Sequence, residues 1–241
     1  MNRRFVSVAL TLFTITINAL ANILPFNGQT TGEISDRFAI RFVPAGYVFS
    51  IWGLIYLGLI VFAIHQALPS QRGTKVLDQI APVYWIASLA NTAWIVLWHY
   101  EQFPITIIVI VILLLSLIAI YRKVDTKADA SFRWCVQLPF SIYLGWVSVA
   151  TIANAAQVLT YLEWNAWGLS ADTWAVIMLA VASLLGVVML LRERNAAYAL
   201  VLVWAFVGIA LKQADSALVA NAAWVFAGLL AAGSGFTVFR K

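Results

Sequence analysis

Aromatic and amide side chains recur at helical spacing inside long apolar segments of the chain. Asn91 and Trp94 lie three residues apart in one of these segments. In a later segment, four residues fall within about 80° of each other at 100° per residue, namely Tyr143, Trp146, Ala150 and Asn154. Aromatic rings with a few placed amide groups suit the binding of a flat apolar molecule. The pattern therefore predicts a binding pocket rather than a reaction centre.

Two further aromatic residues, Trp52 and Tyr56, share a face of an earlier segment that Pro44 opens. Trp and Tyr collect at the two surfaces of a membrane, which is the simplest explanation for Tyr47 at the start of this segment. Trp52 and Tyr56 would lie roughly 10 to 16 Å deeper along the helix. We therefore expect these two side chains to face other helices of a bundle.

The apolar segments carry no Asp, Glu, Lys or Arg in their interiors. Proton pumps and ion-coupled carriers usually place an ionisable group at mid-membrane, so the sequence argues against both classes and against catalysis by paired carboxylates. His65 and His99 are predicted at opposite membrane faces, too far apart to share a metal ion. Cys135 is the single cysteine, so one chain can form neither a disulfide nor a thiolate cluster.

The composition predicts an all-α integral membrane helical bundle. Of the 241 residues, 63% are hydrophobic and 10% are charged, whereas about 25% of residues are charged in soluble domains. All charges fall outside eight apolar intervals, most of them near the roughly 20 residues that a spanning helix needs. The predicted transmembrane helices cover residues 5–24, 45–66, 82–98, 104–121, 134–156, 172–191, 197–211 and 216–239. The seventh is marginal, because its charge-free interval is the shortest.

The basic residues give the predicted orientation. With eight spans and both termini in the cytoplasm, twelve Lys and Arg residues lie inside and three lie outside, as the positive-inside rule expects. The inside residues are Arg3, Arg4, Arg72, Lys75, Arg122, Lys123, Lys127, Arg133, Arg192, Arg194, Arg240 and Lys241, and the outside residues are Arg37, Arg41 and Lys212. These short basic loops lack the pattern of a nucleic-acid site, so no nucleic-acid partner is expected. We expect the protein in a bacterial inner membrane.

The first apolar segment has an alternative interpretation as a signal peptide. Arg3 and Arg4, an apolar run and the small residues Ala19 and Ala21 resemble a cleavable signal. The run continues through Leu24, which makes it long enough to span, so we predict a retained helix.

Polar residues in and after the first helix predict two further contacts. Asn18 and Asn22 lie one turn apart, and a buried amide in a membrane seeks a partner helix. The long connection over residues 25–43 could fold back as a lid over the bundle. Arg37 and Arg41, four residues apart within it, would then meet an anionic ligand or, as the favoured partner, lipid headgroups.

Three motifs resemble the TspO/translocator protein family, the tryptophan-rich sensory proteins also known as peripheral-type benzodiazepine receptors. Residues 44–49 and 52–56 are similar to that family's Pro-Pro-Gly-Trp-Val-Phe-Gly-Pro-Val-Trp opening of the second helix. Asn91 with Trp94 resembles its third-helix Asn-x-x-Trp. Residues 143–154, Tyr-Leu-Gly-Trp-Val-Ser-Val-Ala-Thr-Ile-Ala-Asn, resemble its fifth-helix Tyr-Leu-x-Trp-Val-x-x-Ala-Thr-x-x-Asn. Together the motifs cover residues 5–156 in the family's order.

The resemblance implies a five-helix core over residues 1–156, with the loop at 25–43 capping a pocket, followed by three additional transmembrane helices over residues 157–241. It implies a receptor or carrier for porphyrins such as haem, other tetrapyrroles, sterols or synthetic apolar ligands, acting in sensing or stress regulation. Together with the residue pattern, it places ten residues at the pocket: Pro44, Tyr47, Trp52, Tyr56, Asn91, Trp94, Tyr143, Trp146, Ala150 and Asn154. No cofactor is required for this role, and a bound tetrapyrrole is the implied ligand.

The second-helix motif departs from the family pattern. The segment between Gly46 and Trp52 is one residue shorter, Tyr47 replaces a Trp, and Ser50 stands in place of a Gly-Pro pair. We therefore expect a reshaped pocket. Two other functions stay open, a structural partner subunit of a larger membrane complex and a small-solute transporter. No enzymatic activity is expected beyond the weak porphyrin degradation that the resemblance implies. The expected binding partner is an apolar small molecule or a lipid. Formation of a homodimer stays open.

Overall fold

The structure, a computed structural model, describes residues 3–124 and 129–239. Lys127, Arg240 and Lys241, which enter the predicted orientation, lie outside the described residues. Every regular element in the described part is helical. In chain order, the α-helices are α1 Arg3–Ile23, α2 Thr31–Asp36, α3 Ile51–Ala67, α4 Lys75–His99, α5 Phe103–Lys123, α6 Ala130–Phe132, α7 Leu138–Tyr161, α8 Ala171–Glu193, α9 Ala196–Lys212 and α10 Ala217–Phe239.

The chain is an all-α integral membrane helical bundle. Within the described residues, seven helical stretches are long and apolar enough to cross a membrane. The second of them starts with a 3₁₀ turn at Gly46–Ser50 that runs into α3, and the fifth runs over Ala130–Tyr161. The predicted marginal seventh span corresponds to α9, an apolar helix of 17 residues, about the lower limit for spanning.

The third predicted span starts earlier than the sequence indicates. Helix α4 begins at Lys75, so Pro82 lies inside the helix instead of at its start. Proline has no N–H, and the carbonyl four residues before it therefore lacks a helical partner. Here that carbonyl belongs to Asp78, and Nη1 of Arg3 donates to it at 3.1 Å. A side chain from α1 thus satisfies the group that Pro82 leaves open.

The chain divides into two compact units. Unit 1 comprises Met1–Thr31 and Ile51–Leu144, and unit 2 comprises Gly32–Ser50 and Gly145–Lys241. Helix α7 therefore contributes its first residues, through Leu144, to unit 1 and its remainder to unit 2.

Polar side chains hold α1 against α4 in unit 1. Oγ1 of Thr11 lies 2.6 Å from the Tyr84 hydroxyl, Nε1 of Trp85 donates to Oγ of Ser7 at 2.9 Å, and Nδ2 of Asn18 donates to Oδ1 of Asn91 at 2.7 Å. Lipid tails are as apolar as leucine, so helices in a bilayer associate through packing and such hydrogen bonds, each contributing about 0.6 kcal/mol on average. The interhelical partner predicted for Asn18 is confirmed by its bond to Asn91.

Close approach of helix backbones marks the start of α7 in unit 1. A β-carbon on Gly58 of α3 would lie 3.1 Å from Cβ of Pro139, so glycine permits the contact. A π-helical turn, Arg133–Gln137, directly precedes α7. Pro139 has no backbone N–H to donate to the preceding turn, and the proline ring crowds that turn. These two effects explain the irregular helix at this point.

Unit 2 consists of α8, α9 and α10, which pack on one another, with the remainder of α7 and the segment Gly32–Ser50. Gly186 of α8 lies against Leu230 of α10 and Leu202 of α9. Small residues at such points let helices approach closely, which increases the van der Waals contact that helps hold helices together in a bilayer.

Candidate functional site

A chain of aromatic contacts in unit 1 joins α3, α4 and the start of α5. Ring centroids lie 6.2 Å apart for Tyr56 and Trp52, 6.4 Å for Trp52 and Trp94, and 5.2 Å for Trp94 and Trp98. The last two rings are stacked, and Phe103 follows at 5.3 Å from Trp98. We call these five residues the aromatic ladder. The structure thus brings three predicted pocket residues, Trp52, Tyr56 and Trp94, into one connected set.

Asn91, on the same helix as the ladder residues Trp94 and Trp98, forms a polar pair with Tyr143 of α7. Nδ2 of Asn91 donates to the Tyr143 hydroxyl at 2.7 Å, and Oδ1 of Asn91 accepts from Asn18. Both functional groups of the Asn91 amide are therefore engaged by protein. Tyr143 accepts one hydrogen bond here and keeps its own hydroxyl proton for donation. Of the two predicted pocket residues, Tyr143 is the one with a group left to offer a ligand.

The predicted lining omits Trp98 and Asn18, which the structure adds to this network. Trp98 is 2% exposed and donates from Nε1 to the carbonyl of Thr31 at 3.3 Å. Trp98 lies four residues after Trp94 and therefore on the same helix face, and this spacing is the signal in the sequence that could have identified it. Asn18 could be predicted to contact another helix, but the identity of that partner depends on the packing of α1 against α4.

Two predicted pocket residues at the start of the second-helix motif, Pro44 and Tyr47, belong to unit 2 and pack against α9. The backbone N–H of Ala45 donates to the carbonyl of Gly208 at 3.1 Å, and Nε1 of Trp204 donates to the carbonyl of Val48 at 3.0 Å. A β-carbon on Gly208 would overlap Cγ2 of Val48 and lie 3.2 Å from Cβ of Pro44. Pro44 is therefore buried against a glycine notch on α9.

Tyr47 and Trp146 make aromatic contacts inside unit 2. The Tyr47 ring meets Trp204 edge to face at 5.5 Å, and Phe49 meets Trp146 in the same manner at 5.8 Å. Asn154 is 1% exposed and Ala150 is half-buried on α7. Whether these residues line a ligand pocket stays a prediction.

Arg41 forms ion pairs in unit 2, whereas the sequence favoured lipid headgroups as its partner. Its Nη1 lies 2.6 Å from Oδ2 of Asp215 and its Nε 3.0 Å from Oδ1 of Asp172. The hydrogen bond from Arg41 holds the pKa of Asp215 below its ordinary value, and the same bond raises the pKa of Arg41. Lys212, the last residue of α9, pairs with Asp36 of the same segment Gly32–Ser50. Salt bridges from Gly32–Ser50 thus reach the start of α8 at Asp172, the end of α9 at Lys212 and the loop after α9 at Asp215.

A metal centre finds no support among residues 3–124 and 129–239, because no three His, Cys, Asp or Glu side chains there could hold an ion together. His99 is fully buried, with Nδ1 2.8 Å from the carbonyl of Ile95 in its own helix.

A family model described as TSPO-like protein matches residues 4–236. The match includes the helices of both units, α8 to α10 among them. Searches among curated proteins and among solved structures find no match.

Proposed function

Because the chain belongs to the TSPO-like protein family, we propose that it is a membrane receptor or carrier for a flat apolar ligand of the tetrapyrrole class, acting in sensing or stress regulation. The observation that carries the proposal is the aromatic ladder of unit 1, with Tyr143 bonded to Asn91 on the same helix as two ladder tryptophans. Flat conjugated rings pack on aromatic faces in offset or edge-on arrangements, each contact contributing about 0.5–1.5 kcal/mol beyond burial.

The exposure of the ladder supports a ligand at its α3 end. Trp52 and Tyr56 are half-buried, whereas Trp94 and Trp98 are buried. A ligand would therefore stack on Trp52 and Tyr56, and the inner tryptophans would hold those rings in place. The Tyr143 hydroxyl proton would donate to an acceptor on the edge of the ligand.

The chemistry of the spans favours a receptor or a passive carrier over an ion-coupled transporter. The apolar segments contain no ionisable Asp, Glu, Lys or Arg in their interiors, and ion-coupled carriers usually need such a group at mid-membrane. Binding through rings and hydroxyl or amide groups needs none.

The test is a titration of the full chain in lipid nanodiscs with protoporphyrin IX, followed by tryptophan quenching and porphyrin absorbance. We expect saturable binding, and we expect Tyr143→Phe to weaken it about tenfold, the equivalent of about 1.4 kcal/mol. Tyr100→Phe is the matched control, because Tyr100 is an exposed tyrosine just after α4. Quenching that rises linearly with porphyrin, as in empty nanodiscs, would argue against a binding site.

A further inference from the structure

A polar cleft lies at the end of unit 1 where α1 begins, α3 ends and α4 begins. Its volume is about 490 Å³, within the roughly 300–1,000 Å³ typical of small-molecule sites. The lining residues are Arg4, Phe5, Val8, Ala67, Arg72, Gly73 and Asp78. None of them belongs to the predicted pocket, so the cleft is a separate feature.

The Arg4 guanidinium is held in position at this cleft. Its Nη1 donates to the carbonyl of Gln66 at 3.1 Å and its Nη2 donates to the carbonyl of Gln71. Nε2 of Gln66 donates back to the carbonyl of Arg4 at 3.1 Å. These contacts fix a positive charge against the end of α3, so a ligand would not need to order that side chain.

The neighbouring arginines have different roles. Arg3 is engaged by the Asp78 carbonyl that Pro82 leaves without a helical partner. Arg72 is exposed and precedes Gly73, whose φ of +87° turns the chain into α4 and favours glycine. The turn thus presents the Arg72 guanidinium at the cleft that Arg4 also lines.

Opposite charge and apolar surface complete the cleft. Asp78, in the first turn of α4, is the one carboxylate among the lining residues. Phe5 and Val8 lie one turn apart on α1, and Phe5 is 67% exposed. Both are in an apolar spanning helix, so this wall continues toward the hydrocarbon of the bilayer.

We propose that this cleft binds the headgroup of a phospholipid that carries both a phosphate and a primary ammonium, as in phosphatidylethanolamine. Arg72 binds the phosphate, because a guanidinium group matches phosphate oxygens in pairs, and Arg4 contributes a second, fixed positive charge beside it. Asp78 accepts hydrogen bonds from the ammonium, and an acyl chain lies along Phe5 and Val8. The site is independent of the tetrapyrrole proposal, since the two use different residues.

The same phosphate and ammonium chemistry could arrive on a water-soluble molecule, and the experiment separates the two sources. The purified full chain is incubated with phosphatidylethanolamine, phosphatidylglycerol or phosphatidylcholine of equal chain length, and bound lipid is counted by native mass spectrometry. We expect phosphatidylethanolamine to be retained about tenfold better than the other two lipids. Glycerophosphoethanolamine, which has the headgroup but no acyl chains, should not displace it at equal concentration.

Variants locate the site. Arg72→Gln should lower phosphatidylethanolamine retention about tenfold, and Asp78→Asn should reduce it to the level of phosphatidylglycerol. Arg192→Gln is the matched control, an exposed arginine on the last turn of α8, and should leave retention unchanged. Since Arg72 is exposed, its replacement should not disturb folding, and this variant decides the matter alone if Asp78→Asn misfolds. Equal retention of the three lipids, wild-type retention by Arg72→Gln, or displacement by glycerophosphoethanolamine would overturn the proposal.

Discussion

Gly208 controls how closely the segment Gly32–Ser50 approaches α9. The backbone N–H of Ala45 reaches the carbonyl of Gly208 itself, and Val48 occupies the space that a side chain at Gly208 would need. Glycine has no β-carbon and so permits this close approach of the two backbones. This one glycine therefore allows the segment Gly32–Ser50 to dock on α9.

We predict that Gly208→Ala destabilises the protein by about 1–3 kcal/mol, the usual range for overpacking a filled site. The added β-carbon would overlap Val48 and force the segment or the helix to move. Gly228→Ala is the matched control, because a β-carbon on Gly228 of α10 meets nothing within 4 Å. Thermal unfolding in the same detergent measures both variants. Equal unfolding temperatures for the two would show that Gly208 is not a tight contact.

Sequence reasoning identified some of these residues and had no signal for others. Depth along the helix predicts that Trp52 faces other helices, and the contact between Trp52 and Trp94 agrees with this. Gly208 is a glycine in an apolar helix, and nothing in the sequence distinguishes it from Gly228. The two differ in what packs against them, which depends on the tertiary fold.

The segment Gly32–Ser50 is fastened to other elements of unit 2 at several points. Arg41 pairs with Asp172 and Asp215, Lys212 pairs with Asp36, and Nε2 of Gln157 donates to Oγ of Ser35 at 3.1 Å. The sequence predicted a lid over the bundle from the length of this connection. Arg41 and its carboxylate partners are 174 and 131 residues apart, so their pairing could not be read from local pattern.

We predict that the ion pair with Asp215 makes stability depend on pH in the acid range. Arg41 lowers the pKa of Asp215 in the folded protein, so the unfolded chain takes up this proton at a higher pH than the folded chain does. The stabilising contribution is therefore full above the ordinary pKa of about 3.9 and is lost as pH falls through the lowered pKa.

Unfolding temperatures between pH 3 and pH 7 test this prediction with two variants. Asp215→Asn should be less stable than wild type near pH 7 and should lose less stability on acidification. Glu193→Gln, an exposed carboxylate at the end of α8, should follow wild type. If Asp215→Asn showed the same pH dependence of unfolding temperature as wild type, the ion pair between Arg41 and Asp215 would be excluded as the source of that dependence.

Helix boundaries show where local sequence pattern fails. The predicted third span begins at residue 82 because Lys75 and Asp78 are charged and Pro82 is a common first helical residue. The helix continues through Pro82, and Arg3 supplies a donor to the carbonyl that Pro82 leaves open. Asp78, in the first turn of this helix, also lines the cleft. The apolar interval predicts only the part of the helix that lies in the hydrocarbon core, and α4 extends beyond that part at its N-terminal end.

At the scale of the whole chain, hydropathy predicts the fold class, because apolar intervals of about 20 residues match the length of a spanning helix, which satisfies its backbone groups internally. The apolar intervals correspond to the seven long helices and α9. The orientation from basic residues stays a prediction, as does the division into a core at residues 1–156 and three additional helices. The family match over residues 4–236 includes those last helices.

Site membership is harder to predict than the fold. Trp94 and Tyr143 belong to motifs that resemble a known family, and the structure joins each to other predicted residues of unit 1. Pro44 and Tyr47 belong to a motif of the same kind, yet their contacts in unit 2 are with α9. Motif resemblance indicates which residues matter, but the packing of neighbouring helices decides what each one touches.

The most direct test of the central claim is the affinity of protoporphyrin IX for Trp52→Leu compared with Trp224→Leu, measured by porphyrin absorbance. Trp52 is the ladder residue that joins α3 to α4, whereas Trp224 is an exposed tryptophan on α10, 47% accessible. If the ladder of unit 1 binds the ligand, Trp52→Leu weakens binding at least about tenfold, or about 1.4 kcal/mol, and Trp224→Leu binds as wild type. Wild-type affinity in Trp52→Leu, or an equal loss in both variants, would contradict the account.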